Sequence, residues 1–324
     1  MIVKNNLKSH GRLLEIIRLY GQAPELLGYV SYATATYRGV AFVNGTGTLN
    51  GVAFTNGVSV ASKAILLAPG QFASGCFVGL EGIQIQQVDS TGAVVAQGSL
   101  KTVESEYGYI TVDFTPVAAS SVTSHRVAFE GMADGLTAMG IKKILSTTSG
   151  TIFDVSVTQY SLWHGIQRDN GNLKLKLSDL QKVAANSVNR GGLDGDWNVY
   201  VNPRSWETMN TTEAGTRNYD ASYSETEFKN GAKAIKFFSQ NGSMTIKAHR
   251  MVKEGDAFCL HIPDWSRSGS AEIAMTVPGS DIPILFPLEN QAGMAFRSFS
   301  DQYIFCHALA RSAVITGIND ESST

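Results

Sequence analysis

Hydrophobic and polar positions change their rhythm several times along this chain. Between residues 24 and 43, Leu27, Val30, Tyr37, Val40 and Ala41 fall at helix-like spacing, which predicts a moderately long helix stopped by "NGTG", although Gly28, Thr34, Thr36 and Gly39 are poor helix formers. From Val52 to Phe129 the pattern becomes short alternating runs, "GIQIQQVDSTGAVV", "SLKTVESEYGYITVDF" and "SHRVAFEG", separated by turn clusters. That pattern predicts a β-module of the size of a small barrel or sandwich sheet. Helical spacing returns at "GMADGLTAMGIKKIL" and is clearest in "LSDLQKVAANSVNRGG", where Ser178 and Gln181 form a capping-box pattern and Gly191-Gly192 supplies a stop. "WNVYVNPRSWETM" reads as a strand running into Asn202 as N-cap and Pro203 at the first helical position. "AKAIKFFSQ" and "SMTIKAHRM" flank Asn241-Gly242 as a hairpin, "QYIFCHALARSAVITGI" reads as a strand, and "NDESST" as a loose tail.

The stretch "NGTGTLNGVAFTNGVSV" holds three Asn-Gly pairs, six residues apart, with "GVAF" at Gly39 to Phe42 and again at Gly51 to Phe54. It is not a phosphate cradle: a dinucleotide fingerprint spaces its glycines G-x-G-x-x-G at the mouth of a helix, and a Walker loop needs Gly-Lys-Ser/Thr. Two copies of "GVAFxNG" are too few for a solenoid. What remains is a joint, because Asn-Gly tolerates positive φ wherever the chain reverses or leaves a helix.

At 324 residues, 43% hydrophobic, with 32 Gly and 8 Pro, the chain is long enough for a sizeable core and two or more lobes. Its 26 basic and 28 acidic side chains leave no overall electrostatic footprint for free nucleic acid. Cys76, Cys259 and Cys306 are odd in number and far apart, which argues against a disulfide framework and for a reducing compartment. "MIVKNNLKSHGR" has no signal-peptide core, and "AILLAPGQFASGCFVGL" is too broken to cross a bilayer, so the expectation is a protein folded in cytoplasm with no membrane partner.

Candidate chemistry is sparse. "DGDWN" at Asp194 to Asn198 starts like a calcium loop, but Val199 stands where the glycine belongs and Ser205 where the bidentate Glu belongs, so it reads as a polar turn. Cys259 and His261 share a strand face, whereas Cys306 and His307 point oppositely and cannot easily both join them around a metal. There is no G-x-S-x-G and no H-E-x-x-H. Trp197, Trp206 and Trp265 read as core anchors before ligand platforms. The sequence therefore nominates no catalytic, cofactor-binding or metal-ligating residue, and no enzyme is expected.

The order of the segments resembles the major capsid proteins of tailed bacteriophages, the Hong Kong ninety-seven phage-like capsid fold. The resemblance is carried by "VNGTGTL" at Val43 to Leu49, "GMADGLTAMG" at Gly131 to Gly140, "VYVNPRSW" at Val199 to Trp206 and "HALARSAVITGI" at His307 to Ile318. It implies an α+β fold with a spine helix, peripheral (P) and axial (A) domains and an inserted all-β module. The implied division is 1–23, an N-terminal arm or shortened extended loop; 24–51, spine helix and Gly-rich exit; 52–129, inserted β-module; 130–205, peripheral domain; 206–295, axial domain; and 296–324, return strand and tail. It further implies hexameric and pentameric capsomers of one chain in an icosahedral virion head, assembled in the host cytoplasm around double-stranded DNA, with scaffolding, portal and cement proteins as further partners. An encapsulin-like compartment shell, a phage tail or fibre protein and a carbohydrate-binding β-protein are the alternatives. Two departures stand out: the β-module interrupts the link after the spine, and few residues precede it.

Overall fold

Ile2–Tyr20 winds into helix α1. Leu13, Ile16, Ile17 and Tyr20 recur at three- and four-residue intervals and give this helix an apolar stripe, of which Ile16 and Tyr20 are fully buried. The computed structural model describes residues 2–32, 36–133, 135, 137–212, 235–239, 242–274, 285–287, 294–296 and 298–320. Gly21 follows α1 because residues 138–140 cross here: a Cβ on Gly21 would meet the Ala138 carbonyl oxygen at 2.1 Å, and Gly140 N–H donates to the Gly21 carbonyl at 2.8 Å.

The expected spine helix over residues 24–43 is not there. Where described, that segment holds turns and the short strands Gly28–Tyr29, Thr36–Tyr37 and Val40–Ala41, while the residues expected as an arm, 1–23, contain α1. Backbone conformation explains the miss. Leu26, Gly28, Arg38 and Gly39 all sit at positive φ, which an α-helix cannot absorb.

The Asn-Gly pairs are reversals instead of a helix exit. Arg38-Gly39, Asn44-Gly45, Asn50-Gly51 and Asn56-Gly57 each place two successive residues at positive φ, between 46° and 81°. Their flanks pair directly: Tyr37 with Val40, Val43 with Thr46, Leu49 with Val52 and Thr55 with Val58. These are two-residue hairpins of the type I′ kind, whose twist matches that of the strands. The chain thus zigzags with a six-residue period, and the repeated "GVAF" delivers Phe42 and Phe54 to one small core with Tyr37, Leu49, Leu66 and Tyr109. Gly47 lies against the Phe42 ring, where a Cβ would come within 2.8 Å.

The strand-rich module expected from residue 52 begins earlier and does not stand apart. Among the described residues nine strands form one antiparallel sheet, in the order Gly28–Tyr29, His125–Phe129, Gln84–Asp89, Val94–Glu104, Tyr109–Val112, Ala64–Leu66, Val58–Ser59, Val52–Thr55, Thr46–Leu49. Its buried face, with Ile85, Val88, Ile110 and Val127, belongs to the same continuous core as Tyr20, Ile144, Met251, Val252, Phe258 and Val314. A sheet face finds its cover in another layer, and here that layer is the rest of the chain.

A second, six-stranded sheet runs Ile166–Leu173, Ala313–Ile318, Ala257–Leu260, Trp197–Val201, Gly242–Ala248, Ile235–Ser239. The pairs 166–173 with 313–318 and 197–201 with 242–248 are parallel, the others antiparallel. Its central strands are buried on both faces. Trp197, Val199, Val201, Ala257, Cys259, Ala313 and Ile315 face the helices Leu177–Gly191 and Pro203–Thr212, and Phe258, Leu260 and Val314 face α1 and the other sheet. The expected hairpin around Asn241-Gly242 is present as strands Ile235–Ser239 and Gly242–Ala248, with Asn241 outside the described residues. The sheet draws strands from 130–205, 206–295 and 296–324 alike, so the residue-205 division runs through one layer.

Helix α2 is short, Ile141–Ser146, and α3 spans Leu177–Gly191. Ser178 does not cap α3; the helix starts one residue earlier, and Lys176 N–H donates to Asp179 Oδ2 at 3.4 Å. Gly192 ends it at φ 57°, with Gly192 and Leu193 N–H groups donating to the carbonyls of Val188 and Ser187. Helix α4 is Pro203–Thr212. The expected single C-terminal strand is two, Phe299–Cys306 and Ala313–Ile318, parted by the turn Leu309–Arg311. That turn docks under α3, where Ser187 Oγ donates to the Ala310 carbonyl at 3.0 Å. Asn319 and Asp320 of the expected loose tail are tied down, Asn319 N–H to the Leu173 carbonyl and Asp320 Oδ2 by Ser205 Oγ at 2.7 Å; residues 321–324 lie outside the described residues.

Candidate functional site

Among the described residues, three groups of polar side chains stand out: a strand-to-helix joint, an arginine clamp and a buried charge cluster. At the joint, the strand Trp197–Val201 passes into α4 through Asn202. Its Oδ1 accepts the Arg204 N–H at 3.0 Å, as an N-cap does, and its Nδ2 donates to the Val252 carbonyl at 2.7 Å. Pro203 takes the first helical position. Trp206 is half-buried and packs on the core under α3, whereas Trp197 is fully buried and donates its indole N–H to the Arg311 carbonyl at 2.9 Å. Trp265 donates to Ser312 Oγ at 3.0 Å. All three tryptophans pack against the core clusters.

The clamp joins the zigzag to α4. Glu254 Oε1 lies 2.7 Å from Arg38 Nη2 and 3.6 Å from Arg204 Nε, and both arginines donate to the Glu106 carbonyl. Burial pushes the Glu254 carboxyl up, against the pull of the two guanidiniums.

The charge cluster lies deeper. Lys142 Nζ sits 2.6 Å from Glu25 Oε1 and 2.5 Å from Asp256 Oδ1. Lys253, fully buried, donates to the Leu26 carbonyl at 2.8 Å and to Gln71 Oε1 at 3.2 Å. Its ammonium stands 4.5 Å from the Tyr20 ring centroid and 4.0 Å from Glu25 Oε1. Two cations and two anions balance. Burial pulls Lys253 down to about 8. For Glu25 burial pushes up, but the two lysines outweigh it and hold the carboxyl down at about 2. No sequence motif marks these four residues, which come from three separate segments, Lys253 and Asp256 sharing one turn, and individually read as surface charges.

The remaining candidates take structural places. Asp196 of "DGDWN" accepts from Ser243 N–H and Oγ, both at 2.8 Å, and so pins a turn to the neighbouring strand. His261 Nδ1 pairs with Asp264 Oδ2 at 2.8 Å. Cys76, Cys259 and Cys306 are buried free thiols, which burial pushes up to about 12. Among the described residues no three His, Cys, Asp or Glu side chains converge as metal ligands, and no helix is long and apolar enough to cross a membrane.

No family model matches the chain, and no curated protein matches it. Among the solved structures similar to it are two viral or virus-like particles. The capsid asymmetric unit of cyanophage A-1(L) is 10% identical with a TM-score of 0.41, over 57% of this chain and 61% of that one. A virus-like particle from Pyrococcus furiosus is 12% identical with a TM-score of 0.28, over 72% of this chain and 86% of that one. Both are partial likenesses, and the function is argued from the chain's own residues.

Proposed function

We propose that this chain is a self-assembling shell subunit, the major capsid protein of a tailed bacteriophage. The observation that supports the reading is the joint at "VYVNPRSW": a buried strand, an Asn cap and a Pro-led helix on the sheet that also carries α3, in the order the resemblance implies. In this reading the six-stranded sheet with α3 and α4 provides the peripheral and axial parts, and the nine-stranded sheet is the added lobe. α1 is the only long helix among the described residues ahead of the sheets, and its buried residues join the core that both sheets share.

A second feature suits assembly. Among the described residues, Trp265–Ala274 and Phe299–Cys306 form a two-stranded ribbon with Tyr303 59% exposed. One side of the ribbon packs on the main core through Trp265, Ile304 and Cys306, and in this reading a neighbouring subunit would cover the side that carries Tyr303. Hexameric and pentameric capsomers, scaffolding, portal and cement proteins, and non-specific contact with packaged double-stranded DNA belong to the same proposal. Electron microscopy and light scattering of the purified chain should show rings or closed shells. A stable monomer at high concentration across a range of salt would overturn the reading, and protein cargo in place of DNA inside the particles would favour a compartment shell.

A further inference from the structure

Lys142 is held between two carboxylates with almost no access to water: Lys142, Glu25 and Asp256 are 6%, 5% and 2% exposed. The three come from the turn after α1, from α2 and from the turn before the strand Ala257–Leu260. Lys253 next to them is already satisfied by a carbonyl, an amide oxygen and an aromatic face. Among the described residues Lys142 has only the two carboxylates, and Asp256 Oδ2 has no hydrogen-bond partner.

We propose that Lys142 condenses with Asp256 to form an intrachain isopeptide bond, with Glu25 carrying the protons. The ammonium first passes a proton to the Asp256 carboxylate by way of Glu25, leaving a neutral amine beside a carboxylic acid. The amine lone pair attacks Asp256 Cγ and a C–N bond forms. Glu25 takes the second proton from nitrogen and delivers it to the departing hydroxyl, the C–O bond breaks, and water leaves. One ammonium and one carboxylate become one amide and one water, Glu25 ends as the carboxylate it began as, and nothing is oxidised or reduced.

The site favours this chemistry in two ways. An ion pair taken out of water carries a desolvation cost that a neutral amide does not, and after condensation only Glu25 and Lys253 remain charged. The reacting groups are also already in contact, which removes most of the entropic barrier to a bimolecular step. Burial pushes Asp256 up toward its neutral acid. Burial pulls Lys142 down as well, but the carboxylates outweigh it and hold the amine protonated to about 12. The neutral pair is therefore the minor form, and the bond closes slowly after folding.

Intact-mass measurement on the full-length chain, denatured at intervals after refolding, tests this without reference to assembly. The expected result is a chain lighter by one water, and a digest with a branched peptide joining Lys142 to Asp256. Glu25→Gln keeps the shape of the side chain and should retain the full sequence mass with an unchanged near-ultraviolet spectrum, as should Asp256→Asn in the absence of ammonia loss. A folded wild-type chain that keeps its full mass, or that loses water at another position, overturns the proposal. Bond formation at the wild-type rate in Glu25→Gln overturns the role given to Glu25.

Discussion

Asn202 spends both ends of one amide, one on the helix it caps and one on the Val252 carbonyl. Asn202→Ala should therefore cost about 1–2 kcal/mol, readable as a lower midpoint in urea unfolding. Trp197, 1% exposed, and half-buried Trp206 separate in the same assay: Trp197→Ala should cost about 3–5 kcal/mol by leaving a cavity, and Trp206→Ala clearly less. The thiols predict a pH dependence. Unfolded cysteines ionise near 9.0, while Cys76, Cys259 and Cys306 stay protonated to about 12. Between those values the native state binds more protons, so this contribution is full below 9 and is lost as pH rises toward 12. Lys253, lowered to about 8 from 10.5, works in the opposite direction, but as one group against three. The melting temperature should fall above pH 9, and Cys259→Ala should flatten the fall. The joint at Asn202 was legible in the sequence because a cap, a proline and a strand are neighbours in the chain. The cluster of Glu25, Lys142, Lys253 and Asp256 was not, since only the fold brings those charges together.

Helical spacing alone misled over residues 24–43, because Tyr37, Val40 and Ala41 also serve strands of two residues each, too short to show alternation, while Leu27 and Val30 flank a third, Gly28–Tyr29. The better helical stripe, Leu13, Ile16, Ile17 and Tyr20, was there to be read but lay among lysines and arginines. Of the two meanings open to Asn-Gly, reversal applies at every pair in the zigzag. The turns differ in what surrounds them. Nothing lies within 4 Å of a Cβ built on Gly51, whereas one on Gly57 would meet the Ser31 carbonyl oxygen at 2.1 Å. Gly51→Ala should thus cost only the left-handed backbone penalty, about 1–2 kcal/mol. Gly57→Ala should cost more, by breaking the approach of Ser31 to the turn, and paired thermal melts of the two variants check the difference.

At the scale of the whole molecule, alternation along 52–129 correctly announced a sheet but could not show what covers it. Because Ile85, Val88, Ile110 and Val127 share a core with α1 and the six-stranded sheet, a fragment spanning 28–129 should expose that face and lack a cooperative melt. A sharp, concentration-independent transition for the fragment would restore the autonomous lobe that the sequence suggested. The six-stranded sheet has a consequence in time as well. Ala313–Ile318 lies between Ile166–Leu173 and Ala257–Leu260, so a strand made late fills a gap between strands made early. On the ribosome the earlier strands wait with unpaired edges, and the sheet can zip shut only after Ile318 has cleared the exit tunnel. Synthesis itself then acts as the timer for folding: a nascent chain lacks the finished sheet until that last strand is released.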